Sequence, residues 1–303
     1  MEAWGLIRPS EEPTVYGSGI HYCVGDVLKP DSMRPLFASS DGKEITVIHA
    51  AGIVSIARRL TQDVYDVNVT GTKNIVDLSR QYGALRFLYV SSVHAIPEQP
   101  FGEEIREVSS FLPERVTGAY AKTKAEASQV VMDAAKVGLS AVIVHPTGML
   151  GPYDNGHNHL VQVVADYIRG KLPACVKGGY DFVDVRDVAN GCLLAAERGL
   201  SGEGYILSGT YLSIKKLLSI AGKISHKKPL PVLPVFMAKM IAPLIEAAAA
   251  VHKTRPLFTQ YSLNTLCSNS HFSREKAERE LGYRPRPIEE TVRDMTCWIM
   301  AHA

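Results

Sequence analysis

The order of segments along the chain predicts an α/β protein: a doubly wound parallel sheet followed by a smaller, mostly helical lobe. Three observations carry this. Short runs rich in β-branched and aromatic residues alternate with helical ones up to about residue 145, the pattern of βαβ units. One of those runs ends in two serines, "YVSSVHA" (89–95), and a tyrosine and lysine four residues apart, Tyr120 and Lys124, return at the start of the next helical segment. After residue 146 the rhythm breaks into loops rich in Gly, Pro, Asn and Tyr, at 147–158 and 171–186, between helices.

The elements follow in order. "WGLI" (4–7) and "HYCV" (21–24) read as strands, and "ITVIHA" (45–50) as an apolar one with β-branched residues. Residues 63–83 have helical periodicity and close on Gly83. "RFLYVSS" (86–92) is a strand, 119–137 a helix, and "SAVIVHP" (140–146) a strand stopped by proline. Beyond it helices are expected near 159–169, 187–199, 212–225, 234–252, 273–281 and 288–301, with a short strand "GYILS" (204–208). The division is a nucleotide-binding lobe of residues 1–145 plus 187–199, and a substrate lobe of 146–186 and 200–303.

Composition narrows the functional classes. A formal charge of +2 over 303 residues, with no long basic run, gives no footprint for nucleic acid. Five widely spaced cysteines and no Cys-x-x-Cys argue against a disulfide scaffold or a zinc site and for a reducing, cytoplasmic setting. The start "MEAWGLIRPSEEP" has no apolar leader core. Pro229–Val251 is apolar, but Lys239, Glu246 and prolines interrupt it, so it is expected as a buried or lid helix rather than a membrane span.

A Tyr-x-x-x-Lys spacing alone says little, because residues four apart are neighbours on any helix, and the chain has two more, Tyr167–Lys171 and Tyr211–Lys215. Only Tyr120 follows a strand that ends in serines, Ser91 and Ser92, at the edge where ligand crevices of parallel sheets lie. The chemistry wants such a trio. A phenol with a pKa near ~10 is a poor acid–base at neutral pH; an adjacent ammonium favours its ionised form; a serine hydroxyl holds the substrate oxygen. The combination suits interconversion of an alcohol and a ketone or aldehyde by hydride transfer.

The chain resembles the extended short-chain dehydrogenases/reductases, of the NAD-dependent epimerase/dehydratase superfamily. The resemblance rests on "GDVLKPDSM" (25–33), "VIHAAG" (47–52), "NVTGTKNIVD" (68–77), "YVSSVHA" (89–95), "YAKTK" (120–124), "VHPTGMLGP" (144–152), "DFVDVRDVANG" (181–191) and "SREKAERELGYRP" (273–285), in that order over nearly the whole length. The branch is that of the dihydroflavonol reductase-like and 3β-hydroxysteroid dehydrogenase-like enzymes. It implies a Rossmann-like fold and roles residue by residue. Ser92 is the catalytic serine in preference to Ser91, Tyr120 the acid–base, and Lys124 the lysine that also grips the nicotinamide ribose. Asp26 and Val27 lie beside the adenine, Ala50, Ala51 and Gly52 along the dinucleotide, and Pro146, Thr147 and Gly148 at the carboxamide. His145 stands where many relatives have arginine. Blander readings remain open: Asp26 as a turn residue, His49 as a packed core histidine, Asn68 as a helix anchor, and His94 as either a substrate contact or a loop residue.

The family's glycine-rich turn, Gly-x-x-Gly-x-x-Gly at a helix N-terminus, does not occur in the sequence. "WGLIRP" resembles the second strand of the fold, so the expectation is a Rossmann-like sheet without its first strand and helix, either open beside strand 45–50 or closed up by residues 4–8. Arg8, at the end of that strand, suits a 2′-phosphate and favours NADP over NAD. The expectation is therefore an NAD(P)-dependent oxidoreductase acting on a small, not very polar molecule, with no metal and with a homodimer allowed. The alternatives are a truncated pseudoenzyme that binds without turnover and a nucleotide-sugar epimerase/dehydratase.

Overall fold

The computed structural model describes residues 2–11, 19–40, 42–55, 60–154, 158–251 and 259–302. In chain order the elements are β1 (Ala3–Ile7), β2 (Ile20–Val24), α1 (Pro30–Ala38), β3 (Thr46–His49), α2 (Gln62–Tyr65), a π-helical stretch Asp66–Thr70, α3 (Gly71–Gln81), β4 (Arg86–Val90), α4 (Ala119–Lys136) and β5 (Ala141–Pro146). Then come β6 (Gly148–Leu150), α5 (His159–Ile168), β7 (Cys175–Val176), β8 (Gly179–Asp184), α6 (Val185–Arg198), β9 (Glu203–Leu207), β10 (Thr210–Ser213), α7 (Ile214–Ser225), β11 (Val232–Leu233), α8 (Val235–Val251), α9 (Gln260–Thr265), α10 (Glu275–Leu281) and α11 (Ile288–Ala301).

β3, β4, β5 and β9 form one all-parallel sheet in that order. The period of two along these strands sends alternate side chains to opposite faces. Phe87, Tyr89 and Ile143 join the core that holds Ile75 and Val76 of α3 and Ala121 and Ala125 of α4. Leu88, Val142 and Val144 pack instead against Val188, Cys192 and Ala195 of α6. Each fully buried Val, Leu, Ile or Phe among them contributes about 1.5–3 kcal/mol. Helices on both faces make this the expected doubly wound Rossmann-like fold. β9 lies in this sheet, so residues 203–207 join the first lobe, although the division read from the sequence puts them in the second.

β1 and β2 form a separate parallel pair. Among the described residues β1 pairs only with β2, and β3 only with β4, so the sheet is open between β1 and β3. A cavity of about 1550 Å³ opens there, with Trp4, Gly5 and Leu6 on one wall and Val47, Ile48 and His49 on the other.

A second sheet, β10–β8–β6, was not legible in the sequence, where 171–186 read as loop. Two aspartates interrupt the apolar pattern of β8, yet both are buried. Asp181 accepts the Gly209 N–H at 2.9 Å, and Asp184 accepts the Arg186 N–H at 2.8 Å as the N-cap of α6. Arg286, just before α11, forms a bidentate pair with Asp187 of α6 and anchors the C-terminal helix. The continuous helix expected over 63–83 is interrupted by the π-helical stretch, which buries Asn68. α8 corrects another expectation. Expected as a buried or lid helix, it is not buried: among its described side chains Val235, Ala238 and Ala242 pack against Val176 and Leu263, and Phe236, Met240 and Leu244 are exposed. Among the described residues no helix is long and apolar enough to cross a membrane.

Candidate active site

The two serines at the end of β4 have different partners. Ser91 Oγ lies 2.7 Å from Ser128 Oγ of α4 and is held there. Ser92 Oγ accepts the His94 N–H at 3.2 Å, and its hydroxyl is near enough to the Tyr120 phenol to favour the phenolate. Gly118 makes the entry to α4 possible. Its φ is +107°, and a Cβ there would come within 2.4 Å of the Tyr261 ring. Tyr120 therefore starts the helix at the cavity wall, 8 % exposed.

Lys124 lies one turn further along α4 and is 5 % exposed. Its Nζ donates to the Val90 carbonyl at 2.9 Å and to the Tyr89 hydroxyl at 3.2 Å. The structure thus brings Tyr120 and Ser92 together, while Lys124 binds the strand beneath them. Burial pulls the Lys124 ammonium down to about 7 and drives the Tyr120 phenol above its ordinary value, against the opposing effect of the Ser92 hydroxyl. At neutral pH Tyr120 is a protonated phenol, a donor rather than a base.

The loop after β3 is fixed by Asn68. Its Oδ1 accepts the Ile53 N–H at 2.7 Å, and its Nδ2 donates to the Ile53 carbonyl at 3.0 Å and to Thr123 Oγ1 at 3.0 Å. Sequence reasoning saw only a helix anchor; the residue in fact clamps the 50–53 loop to α4. His49 behaves as a core residue, with Nε2 2.9 Å from Thr72 Oγ1 and a pKa pulled down to about 3 by burial.

The remaining expected residues face the same cavity: Arg8 and Asp26 from the β1–β2 pair, Ala50 to Gly52 after β3, and Pro146 to Gly148 at the end of β5. Val27 also borders it, but its carbonyl accepts Asn74 Nδ2 at 2.8 Å. Asp26 is at the same time a turn residue, its Oδ1 accepting the Leu28 N–H at 2.9 Å. Arg8 is ion-paired with Glu11, Nε to Oε1 3.0 Å. A Cβ on Gly52 would approach Asn68 Oδ1 to 3.2 Å and Lys124 Nζ to 3.4 Å, so glycine keeps a passage open beside the ammonium. That passage and the size of the cavity fit a nicotinamide dinucleotide.

On the other side of Tyr120, His94 stacks on Tyr180 with ring centroids 5.8 Å apart, and its Nε2 lies 3.2 Å from the Tyr180 hydroxyl. Burial lowers its pKa to about 4, so the ring is neutral at pH 7. His145 Nδ1 lies 3.2 Å from the Ser92 carbonyl. The two other tyrosine–lysine pairs converge on nothing. The Tyr167 hydroxyl donates to the Lys228 carbonyl at 3.0 Å while Lys171 is exposed, and Tyr211 and Lys215 are both exposed.

Residues 2–208 match the NAD dependent epimerase/dehydratase family. The chain is 30% identical to sterol demethylase protein B of Methylococcus capsulatus, over 96% of this chain and 88% of that one. It is 31% identical to 4-hydroxy-2-methyl-3-oxo-4-farnesyl-3,4-dihydroquinoline-1-oxide ketoreductase of Stigmatella aurantiaca, over 93% and 84%. Among solved structures it is similar to that of gox2253, with a TM-score of 0.80 and 29% identity over 98% of this chain and 90% of that one. A parallel sheet wound on both faces, a serine strand met by a Tyr-x-x-x-Lys helix at one cavity, and a family match over most of the length agree: the chain belongs to the NAD dependent epimerase/dehydratase family, as an oxidoreductase of the extended short-chain dehydrogenase/reductase type.

Proposed function

We propose that the protein interconverts an alcohol and a ketone or aldehyde on a small, weakly polar molecule, with NADP preferred to NAD. The observation that carries this reading is that Ser92 and Tyr120 lie together on the wall of one cavity. Ser92 holds the substrate carbonyl oxygen, and Tyr120 donates its phenolic proton to that oxygen as the carbonyl carbon is reduced. A bound dinucleotide supplies the hydride. Asp26, Ala50 to Gly52 and Thr147 would hold it, with Lys124 reaching the ribose through the passage at Gly52. Lys124 also favours the phenolate left on Tyr120 until the proton is restored. Leu160, Val163, Leu172 and Leu218 give the substrate side of the cavity an apolar wall, and the named substrate of the ketoreductase relative carries a farnesyl chain.

NADP preference rests on Arg8, whose guanidinium would exchange Glu11 for a 2′-phosphate. Arg8→Ser is expected to cut NADPH affinity about tenfold or more while leaving NADH unchanged, in keeping with about 1.5–3 kcal/mol for a charged hydrogen bond.

The test is NADPH-linked reduction across a panel of apolar ketones, alongside fluorescence titration of NADPH. Tyr120→Phe should lose at least about 100-fold in turnover and bind NADPH as before. Undiminished turnover in that variant overturns the mechanism. A second reading, a pseudoenzyme that binds without turnover, is favoured by one observation: Lys124 Nζ is engaged by Val90 and Tyr89 rather than by Tyr120. Saturable NADPH binding with no turnover on any ketone supports it.

A further inference from the structure

α8 is built inside out for a helix in contact with water. Its packed face is made of small residues, Ala238 and Ala242 with Val235, against Val176 and Leu263. At 3.6 residues per turn the opposite face collects Phe236, Met237, Met240, Ile241 and Leu244, and these are 66, 45, 73, 40 and 72 % exposed. Ordinary surface helices put their large apolar side chains inward, and a contiguous apolar face of this kind marks an interaction site.

The charge around it is one-sided. Residues 204–245 contain six lysines and no Asp or Glu, in a chain whose net charge is only +2. All six are exposed: Lys215, Lys216 and Lys223 on α7, Lys227 and Lys228 in the loop before β11, and Lys239 on α8 itself. Lys239 sits at the border of the apolar face, three residues after Phe236 and one before Met240. An apolar helical face that carries Lys239 at its border and follows Lys227 and Lys228 in the chain, with Glu246 the one acid of α8, fits an anionic lipid surface: the acyl boundary takes the side chains and the headgroups take the ammonium groups. The helix has 17 residues, about 25 Å at 1.5 Å per residue, and one face stays on the protein, so it lies in the plane of the surface.

From this we infer that the protein docks onto anionic bilayers through α8. Val176 and Leu263, on which the helix rests, also line the cavity, so the docked face lies directly behind the apolar wall of the site. The inference stands independently of dinucleotide binding and turnover.

Flotation with phosphatidylcholine vesicles, with and without about 30 % phosphatidylglycerol, tests it. The full chain should float with the anionic vesicles, and binding should fall severalfold at about 0.5 M salt. Met240→Glu with Leu244→Glu should abolish flotation, and Lys227→Glu with Lys228→Glu should weaken it. All four positions are exposed, so circular dichroism melts should match the parent chain. In Phe236→Trp the new indole emission should shift to the blue on adding anionic vesicles. Failure to float on any vesicle, or flotation unchanged in Met240→Glu/Leu244→Glu, overturns the inference. A concentration-dependent dimer in sedimentation that this double variant disperses, without vesicle binding, would assign the face to a second copy and overturn it equally.

Discussion

His145 holds the backbone of Ser92. Its Nδ1 is 3.2 Å from the Ser92 carbonyl oxygen, and since that oxygen can only accept, the proton of the neutral ring is on Nδ1. We propose that this histidine, where many relatives have arginine, acts through the serine rather than on substrate. His145→Leu should lower kcat by about tenfold with KM little changed, the size of one lost hydrogen bond. His145→Asn, which keeps a donor, should recover part of the loss. An equal fall in kcat for both variants would refute this positioning role.

Acid should unfold the protein through its buried imidazoles. Burial holds His49 at about 3, and His94 and His145 at about 4, against 6.5 for the free side chain. Above pH 6.5 the rings are neutral in both states and cost nothing. Below it the unfolded chain binds protons that the folded chain refuses, so stability falls from pH 6.5 to about 4. The loss should be about 1–3 kcal/mol per ring, read as a falling Tm. His49→Gln should flatten this slope; an unchanged slope would discount the His49 contribution.

Lys124 works over a different range. Burial pulls its pKa from 10.5 to about 7, so between these values the unfolded chain holds a proton that the folded chain has released. Its contribution makes the protein more stable as pH rises from 7 to 10. Compared with Lys124→Met, the parent chain should gain ground steadily over that range in chemical denaturation. A stability difference that stays constant with pH would show that the ammonium is not desolvated.

Asn68→Ala should destabilise the protein by about 2–3 kcal/mol, because the Ile53 N–H and carbonyl lose their partners together. It should also weaken dinucleotide binding by loosening the loop of Ala50 to Gly52. Hydrogen exchange at the Ile53 amide is the direct measurement, and protection equal to that of the parent chain would contradict the clamp.

The parts that were legible in the sequence are those whose local pattern matches their surroundings. Arg86–Val90, Ala119–Lys136 and Ala141–Pro146 appear within a residue or two of the boundaries read from the alternating and helical periods. Of the two arrangements expected beside β3, an opening or closure by residues 4–8, the described residues show the opening. β8 was illegible because Asp181 and Asp184 look like loop residues until Gly209 and Arg186 satisfy them. The lysine's partners were illegible for a related reason. Spacing sets Lys124 one turn from Tyr120, but only the packed sheet puts the Val90 carbonyl and the Tyr89 hydroxyl within its reach. The apolar character of 229–251 was plain; which side of α8 would face outward was not, because Ala238 and Ala242 mark the packed face only once Leu263 lies against them.

The open edges of β1 and β3 bear on how this protein behaves at high concentration. A row of backbone donors and acceptors without a strand partner is a template for any extended chain, including another copy that is partly unfolded. Here two such rows border one apolar cavity, where Trp4 and Ile48 are 42 and 43 % exposed. Intermolecular strand pairing on heating is the expected consequence. Loss of protein on heating is then expected to follow an aggregation rate that rises with concentration and heating time, read as a scan-rate-dependent Tm.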